Sequence, residues 1–407
     1  MDRGAIIALL SMLFYFTTFL GGSSVPAVEP LVPPGEQRTY EVLGQQGLLV
    51  AEAVTVRNAP SAEAQALGVL RDGSREVLIL DQEDGWFKIR PHTGPTGWVP
   101  AYVLTITPVA PRELDRIILG YYTPGGPAYE TLLDHSSKLT AAAPLGWTMD
   151  SNGYVHGQFD PQEMGRSLYF AGNQELYTYG HVRVAEQPVH LLASSQLQKN
   201  AVQQLVNLVE EWGLKGLLVQ VDYAPGQEQY DLFAFISVLR GELAAKGRQL
   251  LLGLPWTEGL DYQAASQAAN YLVVPSAHPQ REPGPVASLP AVEEMLAKIT
   301  QAVAGSKLIL SLATSGLEWQ AAGTVRALSH QEVLELAAQH GAKIRWDGVS
   351  RTPYFQHPTG EVWFENRYSL KYKLELVDKY DLAGVAFCNL GQEDPGLWDS
   401  AAALLIS

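Results

Sequence analysis

The sequence predicts an α/β protein: a (β/α)8 barrel with an α+β insertion after its seventh strand, preceded by a small all-β barrel. Three observations carry this. From residue 116 onward, near-continuous apolar runs alternate with amphipathic helical patterns. Residues 46–107 hold many short strand-like pieces broken by turns. The chain of 407 residues is 46% hydrophobic and 17% charged, which suffices for a large core and argues against global disorder.

The chain starts with a targeting pattern. Arg3, offset by Asp2, precedes an apolar run from Ala5 to Leu20, followed by Gly21, Gly22, Ser23, Ser24 and Ala27. A charged start, an apolar stretch and a small-residue exit describe a secretory signal over residues 1–27. The same run has the length of an uncleaved anchor, since about 17 to 20 apolar residues span a bilayer. Either way the remainder is expected to be exported, to the extracellular space, cell wall or spore envelope. Residues 28–45 read as a linker punctuated by Pro30, Pro33, Pro34 and Gly35.

Within 46–107, Val54 and Val56 run into the turn Arg57-Asn58-Ala59-Pro60-Ser61. Val77 to Leu80 leads to the turn Asp84-Gly85, then Trp86-Phe87-Lys88-Ile89, then Gly97-Trp98-Val99-Pro100-Ala101-Tyr102-Val103. Such spacing suits a small barrel. These pieces, in this order, resemble the bacterial SH3 family. The resemblance implies attachment to cell-wall glycan or peptide. Trp86 is expected to be a core residue, and Trp98 is kept as a candidate ligand contact.

Residues 108–114, with Pro108 and Pro111, form a second linker, and the barrel is assigned to 115–407. Its eight strands are read at Arg116–Tyr122, Thr140–Trp147, Pro188–Ala193, Gly216–Asp222, Gln249–Leu254, Asn270–Pro275, Lys307–Ala313 and Gly384–Asn389. Near-continuous apolar runs suit strands buried on both faces of a parallel sheet. Between them, Val202, Leu205, Val206, Val209 and Trp212 recur at helical spacing before Gly213. Leu232, Phe235, Ile236 and Leu239 do so before Gly247, and Ser329 with Glu332 forms a capping box for a helix closed by Gly341. Residues 314–367 interrupt the alternation and read as the insertion, with strand-like pieces around Ile344 and Trp363.

Charge and composition exclude several functions. The net charge of -15 and pI near 5.0 leave no general footprint for nucleic acid or for an anionic membrane surface, so a membrane contact is expected only through residues 1–27. A neutral polysaccharide stays compatible. The single cysteine, Cys388, cannot pair within the chain. The nine histidines show no metal-ligand spacing, and Gly125-Gly126 lacks the phosphate-loop lysine, so neither metal nor nucleotide cofactor is expected.

The barrel resembles glycoside hydrolase family 18, in particular the branch of spore-germination and cortex-associated proteins, from about Arg116 to Trp398. The pieces that carry it are Leu119-Gly120-Tyr121-Tyr122, Trp212-Gly213-Leu214-Lys215-Gly216 and Pro283-Gly284-Pro285-Val286-Ala287-Ser288-Leu289-Pro290. Val362-Trp363-Phe364-Glu365, Gly384-Val385-Ala386-Phe387 and Leu390-Gly391 complete them. The resemblance implies a site at the C-terminal ends of the strands, with an Asp-x-x-Asp-x-Asp-x-Glu run at the fourth. In that family the Glu donates the proton and the preceding Asp orients the substrate's N-acetyl group. Here the run reads Lys215, Leu218, Gln220 and Asp222. Gln220 can neither relay a proton nor carry negative charge. Asp222 is one methylene shorter than Glu, a set-back of roughly 1 to 1.5 Å, and such a misplacement can cost about 100-fold in rate. The family's Met-x-Tyr-Asp reads Pro275-Ser276-Ala277-His278, its Pro-x-Tyr reads Ala313-Thr314-Ser315, and its sugar-stacking Trp is Cys388.

The candidate catalytic residues are therefore Asp222 at the acid position and Gln220. Tyr223, Trp256, Trp319 and Tyr121 are candidate sugar contacts at the barrel mouth, because aromatic rings stack on sugar C–H faces. Glu258 and Asp261 could supply a relocated acid pair, although a surface loop is the preferred account. Three functions follow. The first is a non-hydrolytic envelope protein that binds N-acetylglucosamine-type glycan such as peptidoglycan or chitin. The second is a weak hydrolase using Asp222 as acid in wall or cortex remodelling. The third is a structural layer protein that binds no sugar.

Overall fold

The computed structural model describes residues 40–71, 76–109, 116–184, 186–223, 226, 228–277, 282–321 and 323–399. The targeting segment 1–27, most of the linker 28–45 and residues 110–115 lie outside the described residues.

The N-terminal region is one seven-stranded antiparallel sheet. Its strands are β1 (Gln46–Leu49), β2 (Val54–Arg57), β3 (Ala66–Leu70), β4 (Glu76–Glu83), β5 (Trp86–Pro91), β6 (Gly97–Pro100) and β7 (Leu104–Thr107), in spatial order 3-2-6-5-4-1-7. Alternation places Leu49, Val54, Val56, Val77, Ile89 and Val99 on the inner face. The β4–β5 turn is Asp84-Gly85, both at positive φ (42° and 81°). That pair of values is what a two-residue hairpin needs for its twist to match the flanking strands.

The second region begins with β8 (Ile117–Tyr122), α1 (Gly126–His135), β9 (Ala141–Pro144), the short hairpin β10 (Trp147–Met149) and β11 (Val155–Gly157), and α2 (Pro161–Asn173). It continues through β12 (Tyr177–Val184), α3 (Val189–Ala193), α4 (Ser195–Glu211), β13 (Gly216–Val221), α5 (Gln229–Ala244) and β14 (Gln249–Gly253). Then come α6 (Tyr262–Ala268), β15 (Tyr271–Pro275), α7 (Leu289–Ile299) and β16 (Leu308–Ala313). Strands 8, 9, 12, 13, 14, 15 and 16 and the last strand, β22 (Gly384–Cys388), pair in parallel, and the β12–β9 and β22–β8 pairings close the ring. Leu119, Tyr121, Ala143, Tyr179, Leu218, Leu251, Val273, Ile309 and Ala386 fill the interior. This is a closed eight-stranded parallel barrel with helices outside.

One strand differs from the sequence expectation. Pro188–Ala193 is not the third strand; Val189–Ala193 is a short helix. The third strand is Tyr177–Val184. Its inward positions are Tyr177, Tyr179, His181 and Arg183, so the strand has no continuous aliphatic run to reveal it. The apolar cluster in Val189–Ala193 buries Leu191 fully and leaves Val189 exposed, as a helical turn over the barrel allows.

Between β16 and β22 (Gly384–Cys388) the chain forms β17 (Gly316–Gln320), β18 (Val325–Leu328), α8 (His330–Gln339), β19 (Arg345–Asp347), β20 (Thr352–His357), β21 (Gly360–Phe364) and α9 (Arg367–Lys379). The five strands make one antiparallel sheet, ordered 18-17-21-20-19, over which α8 packs Val333 and Ala337 against Phe355 and Phe364. The Ser329–Glu332 capping box starts α8, and Gly341 beyond its end sits at φ 57°. At the root of this module Lys373 of α9 and Glu365 pair at 2.7 Å, both side chains fully buried, with Ser369 donating to the same carboxylate at 2.6 Å. Burial raises the Glu365 carboxyl above its ordinary range, and Lys373 and the hydrogen bonds oppose that rise.

The small sheet packs directly on the barrel's helices. Arg166 of α2 bonds Asp81 of β4 at 2.9 Å, and Asn173 donates to the Leu43 carbonyl at 2.7 Å. Arg90 of β5 donates to the Leu133 carbonyl at 3.0 Å and pairs with Asp134.

Candidate functional site at the C-terminal mouth

Three inward positions of β13 and its end set the character of the mouth. Side chains two residues apart share a strand face, so Leu218, Gln220 and Asp222 rise in sequence toward the C-terminal rim. Leu218 is fully buried within the barrel core. Gln220 lies over Gly253 of the next strand: a Cβ there would meet its Oε1 at 2.0 Å. Its amide nitrogen donates to the Val221 carbonyl at 3.4 Å.

Asp222 continues the ladder beyond β13, its N–H donating to the Val184 carbonyl at 3.0 Å. That bond places it beside Arg183, whose Nε donates to the Asp222 carboxylate in an ion pair. The side chains are 29% (Asp222) and 55% (Arg183) exposed, so the pair is wet and held in register by the β12–β13 pairing. One layer deeper, His181 is buried with its ring edge-on to Tyr121 at 5.6 Å. Burial lowers the His181 pKa to about 4, with Asp222 opposing and Arg183 reinforcing the shift. The imidazole is therefore neutral at pH 7. Across the mouth, burial and then the nearby Asp222 charge push the Cys388 thiol up to about 11, which keeps it protonated and poorly nucleophilic.

The aromatic candidates divide by burial. Tyr121 is 3% exposed, Trp98 9% and Trp319 8%. None of the three offers an open ring face, which corrects their assignment as sugar contacts: Tyr121 is part of the barrel interior, Trp98 lies in the small sheet between Lys88 and Arg57, and Trp319 packs within the inserted sheet. Tyr223 and Trp256 remain half-buried. Tyr223 follows Asp222 directly; its hydroxyl is buried without a partner among the described residues, and desolvation raises its pKa. Trp256, after β14, stacks on Tyr262 at 5.6 Å, with the Lys298 ammonium 5.8 Å above its ring.

Of the two acids expected after the fifth strand, one caps a helix and the other is an exposed surface carboxylate. Asp261 caps α6 by accepting from the Ala264 N–H at 2.9 Å, and Glu258 lies 3.6 Å from Lys298. His278 lies outside the described residues. Among the described residues no group of three His, Cys, Asp or Glu side chains could hold a metal ion. The mouth can thus offer hydrogen bonds, one ion pair and two partly open rings. Arg183 and His181 were not found from sequence because their strand was assigned elsewhere; the inward alternation Tyr177, Tyr179, His181, Arg183 was the available signal.

Residues 187–393 match the family described as glycosyl hydrolases family 18. The chain belongs to that family. Residues 52–105 match the bacterial SH3 domain. The chain is 26% identical over 230 residues to the Bacillus subtilis (strain 168) protein named "Putative sporulation-specific glycosylase YdhD", covering 51% of this chain and 54% of that one. It is 22% identical over 231 residues to the cortical fragment-lytic enzyme of the same organism, with the same coverage. The chain therefore spans about half the length of the curated relatives it matches. Among solved structures, a chitinase from Chromobacterium violaceum ATCC 12472 aligns with a TM-score of 0.65 at 26% identity, over 72% of this chain and 99% of that one. The spore cortex-lytic enzyme SleL of Bacillus megaterium QM B1551 aligns with a TM-score of 0.65 at 20% identity, over 75% and 77%, and shows the shared fold.

The resemblance to that family places its proton-donating run on β13, where this chain has a single carboxylate, Asp222. A general acid contributes about 10²–10⁴-fold in rate and must carry its proton when the bond breaks. Asp222 is engaged in an ion pair with Arg183. No acid stands at Leu218 or Gln220 to assist it.

Proposed function

We propose that this family 18 member works in the cell envelope as a binder of N-acetylglucosamine-type glycan, peptidoglycan or chitin, and does not hydrolyse it. The observation that carries this reading is the Arg183–Asp222 ion pair at the rim of a strand whose other acid positions are Leu218 and Gln220. Tyr223 and Trp256 supply half-open rings for a sugar face, and the SH3 region, packed on α1 and α2, supplies a second contact with the wall at a fixed orientation. The names of the cortex-lytic relatives favour a wall or cortex glycan, and the pattern of residues 1–27 favours export. The test is incubation of the purified protein, and of Asp222→Asn, with N-acetylglucosamine oligomers and with insoluble peptidoglycan. Expected are retention on the insoluble polymer and no release of reducing ends by either protein. Release that Asp222→Asn abolishes would replace this reading with weak hydrolysis through Asp222. Absence of retention would replace it with a structural role.

A further inference from the structure

The barrel's opposite end carries a recess that the mouth chemistry does not use. It has a volume of about 380 Å³ and opens at the N-terminal ends of the strands. Its lining includes Tyr177 and Tyr179 of β12, Tyr271 of β15, Gln249 at the start of β14, and Glu175 and Arg116 at the rim. Pockets that take small organic ligands run from about 300 to 1,000 Å³, so the volume suits a ligand of one or two rings.

The side chains are arranged for a neutral polar ring. Tyr177 and Tyr179 lie with ring centroids 4.8 Å apart and planes tilted by 31°. Tyr179 is 2% exposed and forms the floor, its hydroxyl donating to Gln249 Oε1 at 2.6 Å. That bond orients the Gln249 amide and leaves its nitrogen free to donate, since it has no partner among the described residues. Tyr177 and Tyr271 stay half-exposed, and neither hydroxyl has a hydrogen-bond partner among the described residues. Two rim cations already have partners: Arg116 pairs with Asp378, and Lys215 stands 3.9 Å from Glu175. Asp381 also lines the recess, an acidic side chain that disfavours an anionic ligand. A pyranose, with an apolar C–H face and a ring of hydroxyls, matches tyrosine faces bordered by an amide and free phenols.

We propose that this recess is a second carbohydrate site, separate from the barrel mouth, that takes a neutral pyranose unit of a glycan. The site does not depend on the mouth's binding or on its lost chemistry.

Calorimetric titration of the purified protein with the N-acetylglucosamine trimer tests it, alongside Tyr271→Ala, Tyr271→Leu and the mouth variant Tyr223→Ala. The expected isotherm for the unmodified protein has two sites. Each Tyr271 variant should weaken one of them by about tenfold or more, a change of about 1.4 kcal/mol, while Tyr223→Ala affects only the other. A single site sensitive to Tyr223 and indifferent to Tyr271 overturns the recess and leaves the mouth reading standing. A single site sensitive only to Tyr271 does the reverse, and no binding at all refutes both. If both Tyr271 variants fail to fold, crystals of the unmodified protein soaked in the same trimer decide. Saccharide density against Tyr177 and Tyr271 supports the proposal, and an empty recess beside an occupied mouth overturns it.

Discussion

The two ends of this barrel are built on opposite terms. At the N-terminal end backbone meets backbone: a Cβ at Gly384 would stand 1.9 Å from the Ile117 carbonyl oxygen, and one at Gly216 would stand 2.5 Å from the Gln249 carbonyl oxygen. At the C-terminal end the corresponding close contact is between Gly253 and the far end of the Gln220 side chain. In barrels of this kind the N-terminal face carries stability and the C-terminal face carries chemistry. On β13 the mouth carries Leu218, Gln220 and one carboxylate, Asp222.

The inserted module is rooted by the buried Glu365–Lys373 pair. Lys373→Met should therefore have the largest effect, about 3–5 kcal/mol lost, because it strands a buried carboxyl. The shift in the urea midpoint measures it. A loss under about 1 kcal/mol would show that solvent reaches Glu365 and that the module is loosely rooted.

Glycine substitutions sharpen the contrast between the ends directly. Gly384→Ala drives a methyl into backbone that cannot move independently, and should cost about 3 kcal/mol or more. Gly253→Ala asks only that Gln220 change rotamer, and should cost about 1 kcal/mol or less. Equal midpoint shifts for the two variants would contradict the comparison.

The mouth should also leave a pH signature. His181 is held neutral in the folded protein with a pKa near 4, against an ordinary value of 6.5. The unfolded chain binds the proton more readily between those values. Its contribution to stability is therefore intact above pH 6.5 and falls as pH drops toward 4, by up to about 3 kcal/mol. Urea midpoints of the wild type and His181→Gln, followed from pH 7 to pH 4, should converge toward acid. His135, also lowered to about 4, is common to both proteins and cancels. Parallel curves would place a charged or solvated imidazole in the mouth.

The smallest effect is expected from Arg183→Ala. The partly exposed pair it breaks is worth about 0–1 kcal/mol. A larger loss would mean that the rim, too, serves stability.

Much of this contrast was legible before the structure. The apolar runs at Ile117–Tyr122, Gly216–Val221, Gln249–Gly253 and Leu308–Ala313 announce strands because both their faces are covered. The change from acids to Leu218, Gln220 and Asp222 can be read from the spacing along β13. The third strand was hidden because its inward residues, Tyr177, Tyr179, His181 and Arg183, are amphipathic or charged, and they are so because they line the two openings of the barrel. One misplaced strand therefore concealed both the Arg183 partner of Asp222 and two of the three tyrosines of the N-terminal recess. Burial was equally invisible: Trp98, Trp319 and Tyr121 have the residue type of sugar contacts, and only packing shows their faces to be covered.

The central claim is that the mouth does not cleave a glycosidic bond. It is tested most directly by incubating the protein with purified glycan strands in ¹⁸O-labelled water and examining the products by mass spectrometry. The account predicts no labelled reducing end above the level seen with Asp222→Asn. Label entering the new ends with the wild type, and not with Asp222→Asn, would contradict it.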